Sequence, residues 1–251
     1  MDNTSNYLDQ GAPKASARAV KETSEHIVEE RQSRQTVVEI AAKAIANGIL
    51  NGRFAPGQRL VEADLTKELG ISRNPLREAF GRLVAEGLLQ VEPFRGAIVA
   101  RLSRKELVDL FSVRECLESW AARLAAENID KSPFRNYVLE LEASLRNPST
   151  TLPNVSDYLE DNRKFHSLIL KLAGNSHLPK LLDQLQFPIF QSAFFRMYDA
   201  NIYQNSTAEH YEILQAILAG DADAASTRVA AHVRHTSKLL YSLPDHFFNS
   251  D

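Results

Sequence analysis

The stretch Ile71-Ser72-Arg73-Asn74-Pro75-Leu76-Arg77-Glu78-Ala79-Phe80-Gly81-Arg82-Leu83 decides how the chain is to be read. Leu76, Ala79, Phe80, Leu83 and Val84 recur at the spacing of one helical face. Arg73 and Arg77, four apart, project from another face with Asn74 beside them. Ser72 is a natural N-cap, Pro75 falls in the first turn where its missing N–H leaves no bond unmade, and Gly87 is a C′ residue. The pattern predicts a short helix with an apolar back and a front of two arginines and an amide. Arginine forks onto guanine or phosphate and asparagine pairs with adenine, so this front suits a DNA major groove. An ordinary amphipathic helix with solvated arginines has the same pattern, and the flanking segments decide between them.

Upstream, Glu62–Leu69 is a second apolar-striped segment closed by Gly70, which completes a helix-turn-helix outline. Downstream, Leu88–Glu92 and Ala97–Ala100 flank Pro93-Phe94-Arg95-Gly96, a hairpin with Arg95 at its tip, which adds a wing. A further helix before them carries Val37, Ala41, Ala44, Ile45 and Ile49 on one face and stops near Asn51-Gly52.

The run Gly52–Leu60, then Leu69–Ala79, then Glu86-Gly87-Leu88 resembles the winged helix-turn-helix of GntR-family bacterial transcription regulators, over about residues 34–101. That resemblance implies that the start of the recognition helix and the wing tip contact an operator. Carried over, the DNA-contacting residues are Ser72, Arg73, Asn74, Arg77, Arg95 and Gly96. Ala63 stands where some relatives have a DNA-contacting arginine, so that contact is absent.

Charge and composition agree with such a division of labour. The net charge is −3, yet residues 34–101 hold ten Lys/Arg against seven Asp/Glu, which leaves −6 for the rest. A basic part joined to an acidic one is expected when only one part faces phosphate. Hydrophobic residues make up 44% of the 251, enough for one large or two modest domains. A single cysteine, Cys116, excludes an internal disulfide framework and is expected to be a small buried hydrophobe. With no apolar run of membrane-spanning length and no signal-peptide core, the expected location is the cytoplasm.

Residues 1–33 lack a periodic stripe and read as a mobile arm; Lys14, Arg18 and Lys21 would give it charge to touch DNA, but an inert tail is the favoured reading. After Arg101 only helices are expected: one opened by a Ser103–Glu106 capping box with Leu107, Leu110, Phe111, Leu117, Ala121 and Leu124 inward, a second from near Pro133, and a third over 156–173. A fourth over 178–203 is expected to kink at Pro188, a fifth to start at a Ser206–Glu209 capping box, and a sixth to follow Gly220-Asp221. The fold class is thus mainly α: an N-terminal winged helix-turn-helix followed by an all-α antiparallel six-helix bundle over 102–241, with 242–251 a C-terminal tail.

Within that bundle Asn162 and His166, four apart, share a helix face, while His210 and His232 lie on later helices. A bundle interior can gather such side chains around Zn²⁺, Ni²⁺ or a related ion, though scattered histidines are equally consistent with surface or hydrogen-bonded roles. Asn162–His166, Ala173-Gly174-Asn175, Glu209-His210, Ala216–Asp221 and His232 resemble the FCD effector domain of the FadR-type branch, with a helix count closer to the VanR-like subgroup. The resemblance implies a divalent metal held by Asn162, His166, His210 and His232, helping to hold a small carboxylate effector. Asn162 stands where aspartate is common, so the site has one negative charge fewer. His235 is a substitute ligand or, by preference, a solvated residue, and Arg114, slightly ahead of Arg123, is an effector fork or equally a surface residue.

The expected protein is a ligand-responsive regulator, a repressor, that binds a pseudo-palindromic double-stranded DNA operator as a homodimer and responds to a small organic acid. Its rival is a helical metal-dependent hydrolase using the histidine cluster. No H-E-x-x-H, G-x-S-x-G or phosphate-loop motif supports an enzyme, and no glutamate accompanies the histidines at the spacing of a general base.

Overall fold

The computed structural model describes residues 35–148, 151–185 and 197–249. The arm expected at 1–33 and Pro188 lie outside them. Two separate apolar clusters form, one per predicted domain.

The first contains helix α1 (35–50), α2 (Glu62–Leu69), α3 (Arg73–Ala85), and strands β1 (Leu89–Glu92) and β2 (Gly96–Val99). The inward residues of α1 are Val38, Ala41, Ala42, Ile45 and Ile49, so Val38 and Ala42 take the places expected for Val37 and Ala44. Turn signals around α3 are realised as read. After Glu86 the chain enters the left-handed region at Gly87 (φ 72°), Gly87 N–H donates to Val84 O (3.1 Å) and Leu88 N–H to Leu83 O (2.9 Å). Those two bonds are the Schellman pair, which only a residue comfortable at positive φ closes. β1 and β2 pair antiparallel with Glu92 opposite Gly96. Residues 57–60 add a short edge, with Leu60 N–H donating to Ala97 O and Val99 N–H to Gln58 O, each at 2.9 Å.

Among the described residues the second domain has six α-helices: α4 (Arg104–Asn128), α5 (Arg135–Arg146), α6 (Val155–Ala173), α7 (Leu178–Gln184), α8 (Ala200–Leu218) and α9 (Ala222–Tyr241). Both halves of the Ser103–Glu106 capping box are made. α4 lies along α9 and against α6, and α8 packs on α9 and α5. The single helix expected over 178–203 is not one element, because α7 ends at Gln184 and Tyr203 belongs to α8. Nor does Ser206 open a helix. Asp199 caps α8 two turns earlier, accepting from Ile202 N–H at 2.8 Å, and Ser206 and Thr207 are buried mid-helix. Cys116 is exposed, on the outer side of α4.

Residues expected as a tail are part of the bundle. Leu243, Phe247 and Phe248 are buried, and Leu102 bridges Phe248 in parallel. Asn249 donates from its backbone to Leu102 O (3.0 Å) and from Nδ2 to Arg101 O (2.9 Å). Arg104 donates to the carbonyls of Tyr241 and Leu243 and lies over the Phe248 ring. The linker between the domains is therefore held by the end of the chain.

Candidate functional site

Three helices carry one histidine each of the interior cluster. On α6, Phe165, Leu168, Ile169 and Leu172 turn inward, and His166 sits at the edge of that stripe, one turn from Asn162. On α8, His210 belongs to the buried row with Ile213, Leu214 and Ile217. On α9, His232 lies between Val229 and Val233. Packing these rows together brings one ring nitrogen of each histidine to within 4.8 Å of the others.

Each imidazole is held. His166 Nδ1 is 2.9 Å from Glu118, a carboxylate on α4 that also accepts from Arg114 Nε (2.9 Å) and Nη2 (2.8 Å). His232 Nδ1 is 2.6 Å from Glu209, whose second oxygen is 2.6 Å from His235 Nδ1. His210 stacks on Phe165, centroids 3.7 Å apart, and its Nε2 is buried without a hydrogen-bond partner. A carboxylate on Nδ1 fixes the ring and leaves Nε2 with a lone pair for a metal, a common outer-shell arrangement.

Burial favours the uncharged, ligand form at two of the three imidazoles. Burial, then the neighbouring imidazoles, hold His210 well below its ordinary 6.5. For His232 burial likewise outweighs the pull of Glu209, and its value falls. Burial pushes Glu118 up, but His166 and Arg114 together more than reverse it and bring the carboxyl to about 2. Neutral imidazole beside ionised carboxylate is the form that takes a divalent ion. Beside the cluster lies a cavity of ≈ 650 Å³ bounded in part by Phe111, Arg114, Glu118, Asn162, His166 and His232, a size that admits a small metabolite.

Two glutamates thus accompany the histidines, which spacing did not predict. Adjacent helix positions are about 100° apart. That allows His210 to enter the interior while Glu209, at the rim, reaches α9. The signal in the sequence was Glu118 itself, a charge on the apolar row of α4 that runs from Leu107 and Phe111 to Ala121 and Ala125. His235, expected as solvated or a substitute ligand, is tied to Glu209 instead. Arg114 borders the cavity with two of its nitrogens on Glu118, whereas Arg123 pairs with Asp223 and Glu127 away from it.

In the other domain Ser72, Arg73, Asn74 and Arg77 are all exposed at the start of α3, and Arg95 and Gly96 are exposed at the wing tip. Ser72 is the N-cap residue, though its side chain makes no capping bond. Arg77 Nε donates to Glu62 of α2 at 2.9 Å, and Arg95 Nη1 to Glu92 at 2.8 Å. Both pairs are solvent-exposed and worth little, so phosphate can displace them.

A winged helix-turn-helix joined to an all-helical domain defines a class, the DNA-binding regulators. Residues 36–99 match the bacterial regulatory proteins of the gntR family and residues 109–235 match the FCD domain. The chain belongs to the GntR family and is a DNA-binding transcription regulator, not an enzyme. It is 29% identical over 195 residues to the HTH-type transcriptional regulator YdhC of Bacillus subtilis, covering 76% of this chain and 85% of that one. To the transcriptional repressor RspR of Escherichia coli it is 24% identical, over 79% and 86% of the two chains. It is 29% identical to a probable D-xylose utilization operon repressor of Paenarthrobacter nicotinovorans, over 81% and 88%. The fold is similar to a GntR regulator structure from Rhodococcus sp. RHA1, with TM-score 0.61 and 22% identity over 82% of this chain and 99% of that one. No helix among the described residues is long and apolar enough to cross a membrane.

Proposed function

We propose that the protein is a metabolite-responsive repressor that binds a pseudo-palindromic duplex as a homodimer and is modulated by a small organic acid in the bundle cavity. Its DNA contacts are Ser72, Arg73, Asn74, Arg77 and the Arg95-Gly96 tip. One short helix reads only a few base pairs, so useful specificity needs a two-fold pair. Action as a repressor is supported by the relatives that carry that description.

The observation that carries the sensing half is the convergence of His166, His210 and His232, with His210 Nε2 buried and unpartnered beside a cavity. These residues fit a divalent metal, held by the three imidazoles with Asn162 as the fourth donor. When bound, the ion supplies positive charge and an open position for an acid group. Glu118 and Glu209 orient the rings, and their charges offset the ion where Asn162 contributes none. A ligand set of imidazoles and one amide favours Zn²⁺, Ni²⁺ or a similar ion over Mg²⁺ or Ca²⁺. Arg114 has Nη1 left over from Glu118 to meet the acid.

α4 connects the two halves. Its middle supplies Arg114 and Glu118 to the site, and its start is bound to the linker through Arg104 and the C-terminal segment. An acid that binds one pose of α4 better than another changes the spacing of the two recognition helices. The test uses the full chain as purified. Metal content is measured, and affinity for a duplex selected from a random-sequence pool is compared with and without a panel of small carboxylates. Stoichiometric metal and an effector-dependent affinity are expected. Affinities unchanged by every carboxylate, in protein lacking metal, would overturn the sensing half.

A further inference from the structure

Phe94 occupies a position in the wing that its own chemistry resists. Among the described residues it alone, other than glycines, has a positive φ (63°). Arg95 N–H donates to Glu92 O at 3.2 Å, closing a turn with Pro93 second and Phe94 third. Proline followed by a left-handed residue is the type II pattern, whose third place normally goes to glycine or asparagine. The phenylalanine there is also 103% exposed, with Val91 on the same hairpin 68% exposed. A bulky ring strained in the backbone and fully in water gains nothing within this domain, which points to a use outside it.

The geometry points to Phe94 as an apolar wedge that enters the DNA minor groove and partly unstacks one base step beside the site read by α3. This rests on the DNA-binding reading above. Three observations favour duplex DNA as the occupant. The tip is one ring between Pro93 and Arg95, far below the roughly 800 Å² per partner of a stable protein interface, yet enough for a single base step. Arg95 stands next to it, exposed, to meet the phosphates or the groove floor. The hairpin leaves α3 through the Gly87 turn and β1 packs on α3, so the tip is fixed relative to the recognition helix. Apolar wedges in the minor groove kink a duplex toward the major groove, where α3 would lie.

The test compares the full-length protein with Phe94→Asn, which accepts the left-handed backbone but removes the ring, and Phe94→Leu, which keeps an apolar wedge. The probe is the duplex enriched by the wild type from a random-sequence pool. Variants carry 2-aminopurine at successive steps for unstacking and end labels for bending. Thermal stability of Phe94→Asn should not fall, since strain is relieved. Its affinity should drop about tenfold or more, with loss of the 2-aminopurine signal and of the bend. Phe94→Leu should retain most of both. Equal affinity and equal unstacking for Phe94→Asn would overturn the wedge, as would an unchanged affinity with an altered oligomeric state, which would assign the ring to a contact between copies. Failure of the wild type to enrich any duplex would instead remove the DNA-binding reading, a separate result.

Discussion

Replacing Glu118 by glutamine gives a quantitative test of the interior site. The carboxylate sits between His166 Nδ1 and the Arg114 guanidinium, almost entirely shielded from water. Glutamine has the shape of the protonated acid, so the difference between glutamate and glutamine approximates the preference of the site for the ionised form. That preference, a fall from the ordinary 4.5 to about 2, corresponds to about 3 kcal/mol. For a chain of this size about 3 kcal/mol lowers the midpoint of thermal unfolding by roughly 6–12 °C. The sign with pH follows from the depressed value. Stability from Glu118 is fully present above the unfolded value of 4.5 and is lost as pH falls through 2. Melting curves of metal-free wild type and Glu118→Gln should thus differ at pH 7 and converge toward pH 2 to 3. Loss of the partner on His166 should also weaken Zn²⁺ or Ni²⁺ binding by about 10–100-fold, read by competition with a chromophoric chelator. A variant as stable as wild type at pH 7, with unchanged metal affinity, would refute the view that this carboxylate orders the cluster.

His210→Ala should strip the metal and abolish any effector response while leaving DNA affinity measurable; stoichiometric metal in that variant, by elemental analysis, would remove His210 from the ligand set. Arg73→Ala and Arg77→Ala should each cost about 1–3 kcal/mol on a selected duplex if they fork onto bases, with flatter salt dependence if they meet phosphate, and circular dichroism should show no loss of helix. Because burial holds His210 and His232 below 6.5, the metal-free protein should lose stability as pH falls from 7 through 6 and below, where only the unfolded chain takes up those protons. Chemical denaturation across pH 5–8 checks that sign, and a rise in stability toward acid would contradict it.

What could be read from the order of residues was whatever a few neighbours settle among themselves. The Gly87 turn and the Ser103–Glu106 box are closed by groups within six residues, and both are formed as expected. Where two such local solutions compete, spacing has no way to choose. Ser206-Thr207-Ala208-Glu209 has the residues of a capping box, but Asp199 caps first, and a helix once begun runs through serine and threonine when its apolar row continues. The register of α1 failed for a related reason. Its run of alanines and branched residues supports two adjoining stripes, and the partner surface selected the one with Val38 and Ala42.

The interior site is the opposite case, because every contact that defines it crosses helices. His166, His210 and His232 came to notice through family resemblance, and spacing alone left them no different from surface histidines. Their carboxylate partners were missed, since Glu118 and Glu209 are joined to His166, His232 and His235 only by the packing of α4 on α6 and of α8 on α9. Even so, Glu118 left a trace. A carboxylate on an apolar helix row must be paired or it destabilises the fold, so its presence requires a buried partner elsewhere in the chain. Arg114, one turn before it, supplies one such partner within the same helix. One half-buried guanidinium does not account for a carboxylate this deeply enclosed, and the second donor had to come from another helix. A histidine with its far nitrogen turned to the interior meets that requirement, and the same bond that gives Glu118 its second partner orients His166 toward His210 and His232.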